Sequence, residues 1–230
     1  VDIILATLNA RYIHTAFGLR YLRANLGALR DRAQILEFDI HQRPLDIAER
    51  ILAHRPRIVG FGVYIWNVTE TTQVVAVLKR LNPALTIVLG GPEVSFADDQ
   101  PEICRLADHV IPGEGEVAFA ELCRQLVGRA SSPSLPKIGT GQMPVLQDLT
   151  LPYDLYTADD LAHRITYVEA SRGCPFECEF CLSALDAPVR QFPLDRFLGA
   201  MQALLDRGAH RFKFVDRTFN LDLKVAREIL

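Results

Sequence analysis

Apolar positions along the first half of this chain come in two rhythms. Runs that are apolar almost throughout alternate with stretches in which apolar residues return every three or four positions. "DIILATLN" precedes "TAFGLRYLRANLGAL", "AQILEFDI" precedes "PLDIAERILAHR", and "RIVGFGVYIW" precedes "VTETTQVVAVLKRL". "LTIVLGG" with "DDQPEICRLA" and "HVIPGEG" with "EVAFAELCRQLVG" continue the alternation. The first rhythm predicts strands buried on both faces, and the second predicts amphipathic helices laid over them. Five β-α units in succession imply an α/β fold, an open parallel sheet with helices on both sides. Ligands of such sheets sit beyond the carboxyl ends of the strands, here the loops "LNARYIH", "GVYIWN", "GGPEVSF" and "PGEGEVAF".

The rhythm of this first domain, 1–128, stops after Gly128. Residues 129–163 open with "RASSPSLPKIGTGQMPVLQDLTLPYDLYTADD", rich in Pro, Gly, Ser and Thr and without a period. They read as an interdomain linker with one short helix at its end, and "LPYDLY" is expected either near the seam between domains or as a plain tether. A second domain is expected over 164–230. "ITYVEAS" predicts a strand, "PLDRFLGAMQALLDRG" a helix, "RFKFVDRTFN" a strand and "LKVAREIL" the start of another helix. This order fits the opening part of a (β/α) barrel or half-barrel.

With 230 residues, 49% of them apolar, the chain can bury sizeable cores. A net charge of −3 and no long basic run leave no footprint for nucleic acid or an anionic membrane surface. A small or enclosed ligand is expected instead. No apolar stretch is long enough to span a bilayer, and "VDIILATLNARYIH" lacks the basic leader and cleavage site of a signal peptide. The chain therefore reads as cytoplasmic, where thiols stay reduced and clustered cysteines hold metal more often than they form disulfides. It starts without Met and stops inside a helical pattern, so it also reads as a fragment.

Three of the five cysteines lie in "RGCPFECEFCL", directly after the apolar strand of the second domain. Cys174, Cys178 and Cys181 have the spacing C-x3-C-x2-C, short enough for one loop to fold three thiolates around a corner of an iron–sulfur cubane. A [4Fe–4S] cluster usually takes four cysteines, so three would leave one iron open to a substrate or cofactor. Zinc is an alternative, but a structural zinc wants a fourth protein ligand, and the nearest histidine in sequence, His163, precedes the strand. Incidental, buried cysteines are the third reading. Cys104 and Cys123 fall on predicted helices and are expected in the core.

The C-x3-C-x-aromatic-C pattern, with Phe180 before the last cysteine and "SRGCPF" ahead of it, resembles the signature of radical S-adenosylmethionine (radical SAM) enzymes. That resemblance implies that Cys174, Cys178 and Cys181 ligate a [4Fe–4S] cluster whose open iron chelates S-adenosylmethionine. One electron then cleaves it to a 5′-deoxyadenosyl radical. Phe180 would lie beside the adenine, or alternatively pack beneath the loop. "FKFVDRTFN" resembles the F-x-D-D-x-F end of the second barrel strand in many such enzymes that carry a cobalamin domain, with Arg217 in place of the second acid. Asp216 would hold a polar part of the nucleoside or order the site, and Arg217 would pair with a carboxylate. A surface or buried Asp216–Arg217 pair is the plainer alternative.

A five-unit, Rossmann-like domain ahead of such a barrel resembles the arrangement of the cobalamin-dependent class. By that resemblance Asn9, Trp66, Asn67, Gly90, Gly91, Glu93, Gly113 and Gly115 border the cobalamin. The glycines would allow close backbone approach. Glu114 and Glu116 can instead cap the helix that follows. Trp66, the only tryptophan, would shield the lower face of the corrin, or else pack in the core or against the linker. The axial-histidine motif D-x-H-x-x-G does not occur. "DIHQRP" at 39–44 imitates its start but follows the second strand and ends in proline, so His41 is expected to be a loop residue and cobalamin to bind without that ligand.

For activity, the resemblance implies methylation of an unactivated carbon of a small-molecule substrate, with methylcobalamin as donor and a flavodoxin or ferredoxin as reducing partner. Two alternatives stay open: radical oxidation, cyclisation or rearrangement without methyl transfer, and a cobalamin or iron–sulfur sensor or electron-transfer module.

Overall fold

The computed structural model describes residues 1–95, 101–128, 143–179, 181 and 188–230. The chain divides between Pro144 and Val145 into two compact units. Among the described residues no helix is long and apolar enough to cross a membrane.

In the first unit, strands β1 (Ile3–Asn9), β2 (Ala33–Asp39), β3 (Ile58–Gly62), β4 (Thr86–Gly90) and β5 (His109–Ile111) form one sheet in the order β2-β1-β3-β4-β5. Every pairing in it is parallel. Helices α1 (Phe17–Ala24) and α5 (Glu116–Val127) lie on one face, and α2 (Pro44–Ala53), α3 (Val68–Leu81) and α4 (Ile103–Leu106) on the other. The alternation of side chains along a strand builds both cores at once. Ile4, Ala6 and Leu8 of β1 pack with Ile47, Ile51, Val74 and Leu78, whereas Ile3 and Leu5 pack with Leu19, Phe119 and Cys123. A strand buried on both faces cannot alternate polar and apolar residues, which is why "IILATLN" reads as a continuous run.

Two predicted helices are shorter than their patterns. The first ends at Ala24, and a 3-10 turn over Gly27–Arg32 takes over where Gly27 adopts a φ of +56°. The fourth is reduced to α4, and residues 96–100 lie outside the described residues.

Cys123 is fully buried, and burial pushes its thiol from 9.0 up to about 12. A pKa raised by folding contributes stability below the unfolded value and loses it as pH rises toward the folded one. The first unit should therefore lose about 4 kcal/mol on this account between pH 9 and 12. Cys123→Ala should start less stable but show a correspondingly flatter alkaline decline in denaturant melts.

In the second unit, β6 (Thr166–Val168) and β9 (Phe212–Phe214) pair in parallel across the intervening helix α7 (Leu194–Asp206). The helices α6 (Ala158–His163) and α8 (Leu223–Ile229) flank them in sequence. A two-residue antiparallel pair, β7 (Ser171–Arg172) with β8 (Arg190–Gln191), closes the cysteine segment into a hairpin the sequence pattern did not predict.

The segment 145–163, expected within the linker, belongs to this unit. Tyr153 and Tyr156 are 3% and 1% exposed. The Tyr153 hydroxyl lies 3.2 Å from Glu169 N, and the Tyr156 hydroxyl donates to Tyr167 O at 2.8 Å. "LPYDLY" is thus folded structure of the second unit rather than a plain tether, because its tyrosines fasten it to β6 and the residues that follow.

Candidate functional site

In the first sheet the strand order reverses between β1 and β3, so the loops that leave these two strands diverge and open a crevice at their carboxyl ends. Buried polar groups pin both loops. The β1–α1 loop is held by Glu37, which enters from β2. Its carboxylate accepts from Ala16 N, from Asn9 Nδ2 at 3.2 Å and from Arg20 Nη2 at 3.2 Å. Asn9 also donates to His14 O at 2.9 Å, and Arg20 Nη1 donates to Ala16 O at 3.2 Å. The Glu37 and Arg20 side chains are 13% and 4% exposed.

The β3–α3 loop is held by Asn67, which is fully buried. Its Nδ2 donates to Leu8 O at 3.1 Å and Gly62 O at 3.2 Å, and its Oδ1 accepts from Tyr64 N at 2.8 Å. Asn9 and Asn67 therefore spend their amides inside the protein, and each shapes the crevice by bracing its walls. Between these braces the chain turns outward: Trp66 is 52% exposed and stacks on Tyr64, with ring centroids 4.5 Å apart and planes 10° from parallel. That exposure excludes the core reading of Trp66. Burial raises the pKa of the Tyr64 phenol.

The two glycine-bearing loops are tied together by Ser95. Its hydroxyl donates to Gly91 O at 2.8 Å and accepts from Gly113 N at 3.0 Å. Gly91 takes a φ of +109° against the backbone of Val63, and Gly113 a φ of +69° with nothing within 4 Å of where a Cβ would stand. Gly91 is thus required by packing between loops, while Gly113 faces open space and could let a ligand approach its backbone closely. Gly90 ends β4 and bonds Val63 N through its carbonyl at 2.8 Å. Glu93 begins its turn in the short 3-10 segment Pro92–Val94, and Gly115 precedes α5. Glu116 is buried in the first turn of that helix. His41 is exposed in the turn after the edge strand β2.

In the second unit the cysteine loop leaves the carboxyl end of β6. Cys174 is buried, Cys178 and Cys181 are exposed, and Cys181 N donates to Cys178 O at 3.0 Å. The donors suit iron or zinc in kind. Among the described residues, however, no three His, Cys, Asp or Glu side chains are gathered closely enough to hold a metal ion. Phe180 and residues 182–187 lie outside the described residues.

Asp216, just past β9, accepts from Ala170 N at 3.1 Å and from the Ser171 hydroxyl at 2.7 Å. It grips the entry to the cysteine loop. Arg217 is exposed and, among the described residues, pairs with no carboxylate. A buried ion pair braces the same entry: Arg172 Nη2 to Glu169 Oε1 at 2.7 Å, with the guanidinium over the Phe192 ring at 5.7 Å.

Glu37, Ser95 and Ser171 were missed by the sequence reading. Glu37 left one signal, a carboxylate between Leu36 and Phe38 in a strand; the serines left none, because their role depends on which loop faces them.

The B12 binding domain family matches residues 3–123, more than half of the chain. An uncharacterized methyltransferase of Pyrococcus horikoshii is 32% identical over 209 residues, which is 80% of this chain and 44% of that protein. The cobalamin-dependent radical SAM methyltransferase TokK of Streptomyces tokunonensis is 25% identical over 205 residues, 76% of this chain and 30% of its own length. The solved structure of the radical S-adenosylmethionine methyltransferase TsrM from Kitasatospora setae, with cobalamin and [4Fe-4S] cluster bound, shares the fold. Its TM-score is 0.69 at 17% identity, over 99% of this chain and 51% of that one. The chain spans less than half the length of these two curated relatives. A switch-point sheet of the B12-binding kind and a three-cysteine loop at a strand end, joined in one polypeptide, place this chain in the family of cobalamin-binding radical SAM proteins.

Proposed function

We propose that this chain carries the cobalamin-binding and cluster-bearing parts of a cobalamin-dependent radical SAM enzyme that methylates an unactivated carbon of a small-molecule substrate. The observation that carries the reading is the C-x3-C-x2-C loop held at the carboxyl end of β6 in a chain whose first sheet has the B12-binding fold. The methyltransferases among its relatives support methyl transfer.

When bound, the [4Fe–4S] cluster supplies the electron that cleaves S-adenosylmethionine, and cobalamin supplies the methyl group. The chain's own contribution is placement. Cys174, Cys178 and Cys181 would hold the iron, and Asp216 fixes the entry of their loop through Ala170 and Ser171. The exposed guanidinium fork of Arg217 suits a carboxylate. The Tyr64–Trp66 stack offers a flat apolar surface that would exclude water from a bound cobalamin, which Gly90, Gly91, Glu93, Gly113 and Gly115 would also border. Phe180 would sit beside the adenine. A cytoplasmic flavodoxin or ferredoxin is the proposed electron donor.

The test is anaerobic reconstitution of the full-length protein with iron and sulfide, followed by S-adenosylmethionine and a reductant, beside a Cys178→Ala variant. Release of 5′-deoxyadenosine by the parent should fall on the order of 100-fold or more in the variant. A methylated product separates methylation from radical oxidation or rearrangement. A stable cluster with no cleavage, even with cobalamin bound, would move the sensor or electron-transfer reading ahead.

A further inference from the structure

We infer that Cys178 and Cys181 form a reversible oxidation site, which closes to a disulfide when the chain carries no metal and leaves Cys174 out. The three cysteines of the loop are not equivalent. Cys174 is 9% exposed, whereas Cys178 and Cys181 both face solvent. The two exposed residues also share a turn, because Cys181 N donates to Cys178 O at 3.0 Å. A bond of that kind between residues three apart brings their Cα atoms to within about 7 Å. A disulfide spans Cα separations of roughly 4.4–6.8 Å, so the backbone already holds the pair near the distance needed. Among the described residues no group of three His, Cys, Asp or Glu side chains is gathered closely enough to hold a metal ion. In this conformation the loop presents a dithiol and keeps its third thiol back.

The chemistry needs an oxidant, and a small disulfide such as oxidised glutathione suffices. One exposed thiolate attacks a sulfur of the oxidant, forming a mixed disulfide and releasing one glutathione thiolate. The neighbouring thiolate then attacks the protein sulfur of that mixed disulfide and releases the second. The two protein thiols lose two protons and two electrons, and one glutathione disulfide becomes two glutathione thiols. Both steps need access to the sulfur, which burial denies to Cys174. If Cys178 and Cys181 are iron ligands as proposed above, the bond occupies two of the three thiolates and makes iron uptake depend on prior reduction. The disulfide itself does not rest on that reading.

The experiment is oxidation of the metal-free 230-residue chain, purified with a chelator, by oxidised glutathione. After acid quenching, unfolding and alkylation, thiols are counted by intact mass and the tryptic peptide 173–190 is fragmented. The parent should fall from the five thiols of its sequence to three, with Cys174 alkylated, Cys178 joined to Cys181 and no glutathione retained. Dithiothreitol should restore all five. Cys174→Ala should still lose two thiols, while Cys178→Ser and Cys181→Ser should each stop at a mixed disulfide on the remaining exposed cysteine. Five alkylated cysteines in the treated parent, retained glutathione, a bond that includes Cys174, or a bond between two chains would each overturn the inference. None of these outcomes bears on the iron reading, which release of 5′-deoxyadenosine tests separately.

Discussion

Gly91→Ala should lower the stability of the first unit by about 4 kcal/mol, a large share of what a domain of this size has to lose. Gly91 combines a φ of +109° with a ψ of 169°, a region essentially reserved for glycine. A Cβ there would also stand 3.0 Å from Val63 N and closer still to the Val63 carbonyl oxygen. Both atoms belong to backbone, which cannot rotate away as a side chain can. Val63 is itself anchored to Gly90 O at 2.8 Å, so relief would have to pull the β4 and β3 loops apart. Urea melts of the 230-residue chain followed by Trp66 fluorescence report on this unit alone, since the chain has no other tryptophan. An unchanged midpoint would show that the loops separate freely, contrary to the packing described. Gly113→Ala has open space around it and should cost only the strain of its positive φ, about 1 kcal/mol.

Glu37→Ala should be almost as damaging, about 3–5 kcal/mol. The loss has two parts. It strips the buried Arg20 guanidinium of this carboxylate, and it frees the β1–α1 loop at Ala16 and Asn9 together. Glu37→Gln keeps an acceptor and the side-chain volume, so it should lose only the charge-assisted part, about 2 kcal/mol. The ratio between the two variants is the informative quantity, and the same fluorescence melts measure it. Because the loop borders the switch-point crevice, both variants should also bind hydroxocobalamin more weakly in absorbance titrations. Cobalamin binding unchanged in a folded Glu37→Ala protein would remove this loop from the site.

The parallel α/β architecture was legible in the sequence for a simple reason. Strands buried on two faces must be apolar throughout, and helices buried on one must repeat every three or four residues. Both constraints act on neighbours along the chain. The cysteine spacing is equally local, because three ligands on one loop need no help from elsewhere to be seen together.

Other features depend on segments far apart in sequence. Asn67 looked like a ligand contact because it ends a strand-like run beside the only tryptophan. Folding turns its amide inward to Leu8 and Gly62, while Ile65 and Trp66 are left facing outward. "LPYDLY" has the composition of a linker, yet its two tyrosines find backbone partners at Glu169 and Tyr167 that no local pattern announces. Asp216 and Arg217 were read as possible partners of one another; the parallel pairing of β6 with β9 instead brings Asp216 beside Ala170 and Ser171.

The sequence by itself determined the class of fold, the order of its elements and the donors available to iron, since each is written in residue type and short-range spacing. Which polar groups serve as internal braces and which remain open to a ligand were decided only by the tertiary structure. Those roles belong to pairs of residues such as Glu37 with Ala16 or Asp216 with Ser171, and backbone topology sets which of them meet.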